Sequence, residues 1–303
     1  MPANDGFINI IKPTGMTSND LVAKLRGIIR KGYGEKVKVG HTGTLDPNAA
    51  GVMLVAIGKA TKFTKYIIEK DKTYIAEITF GKKTDTLDSY GEVVEEKMPK
   101  RHSEEEIKEV LENFMGKSLQ IPPKFSALKI DGQRLYKLAR EGKEVPEIQP
   151  REIEIHKIKL LDRQEDRVTI SVTCSSGTYI RSLASDIGEA LGEFATLTML
   201  IRTDVDGHAI QESFTMEELE EKILQKRIQQ VLIPTEEILQ KFPKLLLKDG
   251  VKLYVNGAKI RTARYVGKTV SPMRYRVYAE KDFLGIGMVS REDDLYLKSE
   301  TLN

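Results

Sequence analysis

Two periodicities alternate along the chain. A short apolar run over Gly6 to Lys12 reads as a strand, and Pro13 to Gly15 as a turn. Ser18 then stands as a helix N-cap before Leu21, Val22, Leu25, Ile28 and Ile29, which recur on one helical face. The Gly- and Thr-rich stretch Val37 to Ala50 leads into the apolar run Gly51 to Ile57 and a helix near Thr61 to Glu69. From Thr73 to Phe80, Tyr74, Ala76, Ile78 and Phe80 alternate with more polar neighbours, the period of a strand, and Thr84 to Gly91 reads as a turn-rich loop. Ser103 and Glu106 make a capping box for a helix to about Phe114. Two strands are expected near Glu152 to Leu161 and Arg167 to Cys174. A helix follows from Tyr179 to Leu191, ended by Gly192, and strand sequence returns over Ala195 to Arg202. Charge-rich helical sequence from Thr215 to Gln240 is interrupted at Pro234, and short alternating segments fill Leu245 to Asn303.

Adjacent strands with scattered helices point to α+β rather than a regular alternating parallel fold. At 303 residues the chain exceeds the common single-domain size of roughly 100–200 residues. The expected division is a large domain over 1–240 and a small β-rich domain over 245–303. Between about 121 and 151 the large domain carries an insertion dense in Pro, Gly, Lys and Arg, with one amphipathic stretch, Arg134 to Glu141. No repeat or low-complexity segment is present.

Composition removes several classes. Apolar residues at 40% and charged residues at 31% suit a folded globular chain. No stretch of about 18 uncharged apolar residues occurs, and Met1 to Gly6 carries no basic leader, so a cytoplasmic location with no membrane is expected. A lone cysteine, Cys174, builds neither an intramolecular disulfide nor a thiolate zinc site, and His41, His102, His156 and His208 lack ligand spacing, so no metal is expected. The net charge of +3 is modest, but the basic residues cluster: Lys36 and Lys38, Lys124 and Lys129, and Arg134, Lys137 and Arg140 all lie beside the segments described next. Such a patch fits a polyanion.

Three segments carry candidate chemistry. Gly40-His41-Thr42-Gly43-Thr44-Leu45-Asp46-Pro47 packs glycines, hydroxyls, an imidazole and a carboxylate into eight positions, as a backbone held close to a ligand requires. Ser176-Gly177-Thr178-Tyr179-Ile180-Arg181 places an arginine in the first turns of an amphipathic helix, and Lys72-Thr73-Tyr74 opens a strand. Taken singly, each has a plain structural explanation: a glycine turn, a solvated helix arginine, a half-buried strand tyrosine.

Together and in this order, the three segments resemble the bacterial tRNA pseudouridine-55 synthase family. The resemblance extends to Lys12-Pro13-x-Gly15-x-Thr17-Ser18, to Pro122-Pro123-x-x-Ser126-Ala127-x-Lys129-x-x-Gly132, and to Phe283-Leu284-Gly285-Ile286-Gly287, so it spans essentially the whole chain. It implies a mixed, largely antiparallel central sheet with flanking helices and a small C-terminal PUA-like RNA-binding domain. The implied reaction converts the T-loop uridine 55 of tRNA to pseudouridine after base flipping, with no cofactor. Detaching uracil from C1′, rotating it and rejoining it through C5 needs a nucleophile or base near sugar and ring, and Asp46 fits. Attack at C1′, addition at C6 and removal of a C2′ proton all require it ionised. By resemblance Arg181 pairs with Asp46, and Tyr74 stacks on the extruded base and helps handle the C5 proton. His41 fills the gap left in the RNA stack. Tyr179, Leu200 and Asp85 are further substrate contacts, and Lys12, Lys36, Lys129 and Arg134 are candidate phosphate contacts. The implied partner is the tRNA T-stem-loop, with no protein partner required, and the chain is expected to be a monomer.

Asp85 and Asp88 in Thr84-Asp85-Thr86-Leu87-Asp88 form a carboxylate pair that a capped turn also explains. The chain departs from the family pattern at Asn48 and Ala50 beside the motif loop. It departs again around Arg202, Asp206 and His208, where a basic pair, a glycine and an aromatic residue are usual. Two other readings remain: a tRNA-binding chaperone independent of turnover, and a glycosidase, which normally needs two active carboxylates.

Overall fold

The computed structural model describes residues 5–126, 128–130, 133–135, 138, 141, 146–266, 270–292 and 294–303. Lys129, Ile130, Gln133, Arg134, Arg264 and Tyr265 are described in backbone only. The inner strand β3 (Ala50–Ile57) shows why the fold closes as it does. Residues 51–57 are all buried, because each face of the strand meets its own core. Met53, Val55 and Ile57 pack with Leu21, Leu25 and Ile29 of helix α1 (Ser18–Tyr33), whereas Val52, Leu54 and Ala56 join Phe7, Phe63, Tyr66 and Ile238 on the other side. A strand buried on both faces reads as a continuous apolar run, as this one does. Removing one such contact, for example by Leu25→Ala, costs about 2–5 kcal/mol.

Around β3 a mixed sheet runs in the order β1 (Gly6–Lys12), β3, β12 (Ala195–Val205), β4 (Lys72–Phe80), β11 (Arg167–Cys174), β10 (Arg151–Arg163), β7 (Gly116–Gln120). β2 (Val39–His41) is added to β3, and β13 (His208–Ala209) to β12. Every neighbouring pair is antiparallel except β3 with β12, where Ala50 and Gly51 lie beside Ile201 and Arg202 in parallel. On β4, Tyr74, Ala76, Ile78 and Phe80 turn into the core that also receives Ile180, Leu183, Ala184 and Ile187 of the helix Ile180–Ala190. The α+β architecture is therefore the expected one, with a mixed, largely antiparallel sheet.

A second sheet, β14 (Lys244–Leu247), β16 (Arg274–Ala279), β17 (Asp282–Arg291), β18 (Leu295–Leu302), β15 (Ile260–Arg261), has its own core of Leu245, Leu247, Tyr254, Val277, Val289 and Leu297. It leans on the first sheet: Ile286 enters the cluster of Phe7 and Phe63, and the hydroxyls of Tyr66 and Thr301 are 2.8 Å apart. Among the described residues no helix is long and apolar enough to cross a membrane.

Several local expectations are corrected. Thr17, not Ser18, caps α1, through a reciprocal box with Asp20; the Ser18 hydroxyl is engaged elsewhere. The helix expected near Thr61 to Glu69 divides into a 3-10 turn, Gly58–Phe63, and one short helix, Lys65–Ile68. The loop at Thr84 to Gly91 is turn-rich as expected, and forms the tip of a hairpin of β5 (Lys82–Thr84) with β6 (Val93–Glu96). β7 escapes pattern reading because it is a short edge strand with only its last residue buried. The amphipathic stretch Arg134 to Glu141 lies largely outside the described residues.

Candidate active site

The loop between β2 and β3 carries Asp46 and is fastened on both flanks. Leu45 is buried in the main core, and its N–H donates to Ser18 Oγ at 2.9 Å while the same hydroxyl donates to the Leu45 carbonyl. Beyond Asp46, the Pro47 carbonyl accepts from the Gly15 N–H at 2.9 Å and from Lys12 Nζ at 3.3 Å. Ahead of it, Arg202 Nη2 and Nη1 donate to the carbonyls of Gly43 and Thr44 at 3.3 and 3.5 Å, and Arg202 Nε to Val52 at 2.7 Å. Gly51 is required at the junction: its φ is +116°, and a Cβ there would overlap the Arg202 carbonyl across the parallel pair.

Arg181 donates Nε to Asp46 Oδ2 at 2.9 Å. The rest of its guanidinium donates to the carbonyls of Thr86 and Phe125, each at 3.1 Å, so its direction is fixed by backbone. Arg181 is 6% exposed, whereas the Asp46 side chain is 39% exposed and opens to two cavities. One, of about 420 Å³, is also lined by Lys72, Tyr74, Tyr179, Arg181, Leu200 and Arg202. The other, of about 510 Å³, brings His41, Ser18, Asp88 and Arg181 to the opposite side of the same loop.

Burial shapes the protonation of this wall. It pushes the Tyr74 phenol up, with the positive charge of Arg202 pulling the other way. Burial, then Arg202, holds His41 below the ordinary imidazole range, so the ring is neutral near pH 7, and its Nδ1 accepts from the Gly43 N–H at 3.3 Å. Lys72 is brought down to about 8 by burial; its ammonium donates to the carbonyls of Ile68 and Lys70. Burial also raises the Tyr179 phenol, whose backbone is clamped by Gln120 in both directions, at 2.8 and 3.1 Å.

The structure thus brings together Asp46, Arg181, Tyr74, Tyr179 and Leu200, with His41 on the far side of the loop. Lys12 is corrected: it is fully buried, and its ammonium is taken up by the carbonyls of Pro13, Met16 and Pro47, which leaves no donor for a phosphate. Asp85 lines neither cavity. It is exposed and accepts from the Glu92 N–H in the hairpin turn, while Asp88 sends Oδ2 to within 3.8 Å of Arg181 Nε. Arg202, which stands where the family pattern usually has a basic pair, is buried under the loop. The side chains of Lys129 and Arg134, and residues Lys137 and Arg140, lie outside the described residues. Lys36 and Lys38 line a shallow hollow with Arg26 beside β2. Sequence reading gave no place to Gln120, and named Lys72, Asp88 and Arg202 without the contacts they make here. The one available signal was a basic residue inside an otherwise apolar strand, at Lys72 and Arg202.

The fold is shared with a chain from an H/ACA RNP bound to a substrate RNA containing 2′-deoxyuridine, with a TM-score of 0.73 and 22% identity over 98% of this chain and 84% of that one. Matches to family models define the class as that of the pseudouridylate synthases. Residues 30–180 match the TruB family pseudouridylate synthase N-terminal domain, and residues 181–240 the tRNA pseudouridylate synthase B C-terminal domain. A tRNA pseudouridine synthase B of Clostridium kluyveri is 42% identical over 94% of this chain and 95% of its own. One of Clostridioides difficile is 38% identical over 98% of each. The chain belongs to the TruB family of pseudouridylate synthases.

Proposed function

We propose that the chain isomerises the uridine at position 55 in the T-loop of tRNA to pseudouridine, by base flipping and without a cofactor. The observation that carries this is the carboxylate of Asp46, oriented by Arg181 Nε at 2.9 Å yet open on a loop between two cavities. The names of the relatives, tRNA pseudouridine synthase B, supply the substrate class. A cavity of about 420 Å³ is of a size that takes a small ligand, here a flipped base. Asp46 acts at the reacting centre, aimed by the guanidinium of Arg181. Tyr74 and Leu200 face the base, and Tyr74 handles the C5 proton; Tyr179 completes the wall. His41, neutral and flat, takes the place the base leaves in the RNA stack.

In this reading residues 1–240 form the catalytic domain. Its insertion at about 121–151 contacts phosphates through Lys129 and Arg134, and residues 245–303 form a PUA-like domain that grips the adjoining RNA helix. The enzyme works as a cytoplasmic monomer. The test is incubation with an unmodified T-stem-loop RNA, digestion to nucleosides and a search for pseudouridine, with Asp46→Ala alongside. Product from the unaltered chain alone is expected. RNA binding without product from either protein overturns the reading in favour of an RNA-folding role, and released free uracil overturns it in favour of a hydrolase.

A further inference from the structure

Among the described residues Arg202 is the largest fully buried side chain, and no carboxylate of theirs lies within ion-pairing distance of it. An unpaired guanidinium in a protein interior is costly, so the site gains something from keeping it. It lies on β12 directly across from Tyr74 on β4, one of the antiparallel Cα pairs, and a bulge follows it immediately. Cross-strand partners project to the same face of a sheet, and both side chains line the 420 Å³ cavity together with Leu200, two residues earlier on the same strand. Lys72, Lys12 and His41 all feel its repulsion, and Asp46, the carboxylate of the same cavity wall, is ion-paired with Arg181 on the loop whose carbonyls Arg202 holds.

We propose that Arg202 is a positioning residue that spreads its charge between two tasks: it anchors the loop carrying Asp46, and it stabilises a transient phenolate on Tyr74 through which the proton travels from C5 to N1. This rests on the isomerase reading above. The N1–C1′ bond breaks with its electron pair leaving on uracil, and the Tyr74 phenol gives its proton to N1. Rotation brings C5 to the place N1 vacates, and the C5–C1′ bond forms. The C5–H pair then returns to the ring as that proton passes to the Tyr74 oxygen. Tyr74 ends as it began, and one proton has moved from C5 to N1. Without an adjacent unpaired cation the phenolate would be buried and unsupported, because burial opposes its ionisation. Arg181 does not serve this purpose, since its charge is already taken by Asp46.

The experiment is single-turnover conversion of T-stem-loop RNA carrying uridine or [5-2H]uridine by the full chain and by Arg202→Gln and Arg202→Lys, with thermal unfolding and RNA affinity measured in parallel. Arg202→Gln is expected to bind RNA and to slow turnover by roughly 10²-fold or more, the range of a lost proton-transfer contribution. Its deuterium isotope effect should rise above that of the unaltered enzyme, because loss of the C5 proton becomes limiting. Arg202→Lys, which keeps a charge but not the fork, should fall between the two in both rate and isotope effect. A folded Arg202→Gln enzyme that is slow with an unchanged isotope effect overturns the proposal and leaves only loop support. If the Gln protein does not fold, the same criterion is applied to Arg202→Lys. The unaltered enzyme's own product keeps failure of the isomerase reading separate from failure of this one.

Discussion

The two sheets use basic residues in opposite ways. In the main sheet, its loops and the helix over Ile180–Ala190, Lys12, Lys72, Arg181 and Arg202 are all buried, and backbone carbonyls take most of their donors. In the C-terminal sheet Arg274, Lys259 and Arg261 lie outside and are matched with Glu300, Glu292 and Asp294. Arg276 is the exception there: it donates to the carbonyls of Phe242, Glu236 and Gln240 and so ties the second sheet to the chain segment leading into it. A carbonyl satisfies a donor without cancelling its charge, whereas a carboxylate does both. The main sheet therefore keeps a positive field over the cavity, with Asp46 and Asp88 as the carboxylates set against it. The second sheet spends its charge on holding its own surface.

The sharpest way to break the comparison is at Asp46. Asp46→Asn keeps the volume and the loop but removes the anion, and is expected to lower turnover by at least about 10⁴-fold while RNA affinity stays. Single-turnover assays beside filter binding check this; retained product would mean that the field has no reacting carboxylate at its centre. Next comes Arg181→Ala, which strands Asp46 and the carbonyls of Thr86 and Phe125. Removing one donor that fixes a reacting group costs roughly 10²–10³ in kcat, and the two stranded carbonyls should lower Tm. Arg181→Lys should recover part of it, since an ammonium lacks the planar fork.

The contrast between the sheets also explains what could be read in advance. The strands β4 and β11 and the helix over Ile180–Ala190 follow their hydrophobic periods, so their positions were legible, whereas the Asp46–Arg181 pairing came only from the family resemblance. The roles of Lys12 and Arg202 were not, because a basic residue looks the same in sequence whether it meets a phosphate or a buried carbonyl. For Arg202 the approach of β12 to β3 at Gly51, far apart in the chain, decides it, and for Lys12 the return of the loop at Pro47 to the turn after β1. Asp85 and Asp88 posed the same difficulty three residues apart: the hairpin turn directs one to the Glu92 N–H and the other to Arg181.

A milder test uses pH. Lys72 is lowered from 10.5 to about 8 in the folded chain, mainly by burial. Below pH 8 it is charged in both folded and unfolded chains, and the burial cost stands in full. Between about 8 and 10.5 the folded chain releases the proton while the unfolded chain keeps it, so this site adds stability as pH rises. Denaturant unfolding of the unaltered chain and of Lys72→Met at pH 7 and pH 10 should show the unaltered chain gaining about 2–3 kcal/mol on the variant. A constant difference would mean that the ammonium is not held against its own burial.

The smallest effect belongs to the second sheet. Arg274 makes a two-point contact with Glu300, Nε to Oε2 at 2.8 Å and Nη2 to Oε1 at 3.0 Å, and holds that carboxyl below its usual range. Both side chains are partly in water, 44% and 27% exposed, so screening and side-chain entropy offset most of the attraction. Arg274→Ala is expected to cost about 0.5–1 kcal/mol in denaturant unfolding, to shrink further in high salt, and to leave kcat unchanged. The contribution is present above the ordinary carboxylate range and fades as pH falls through the lowered value for Glu300. A salt-independent loss well beyond 1 kcal/mol, or a fall in kcat, would show the outward arginines sharing the work of the inward ones.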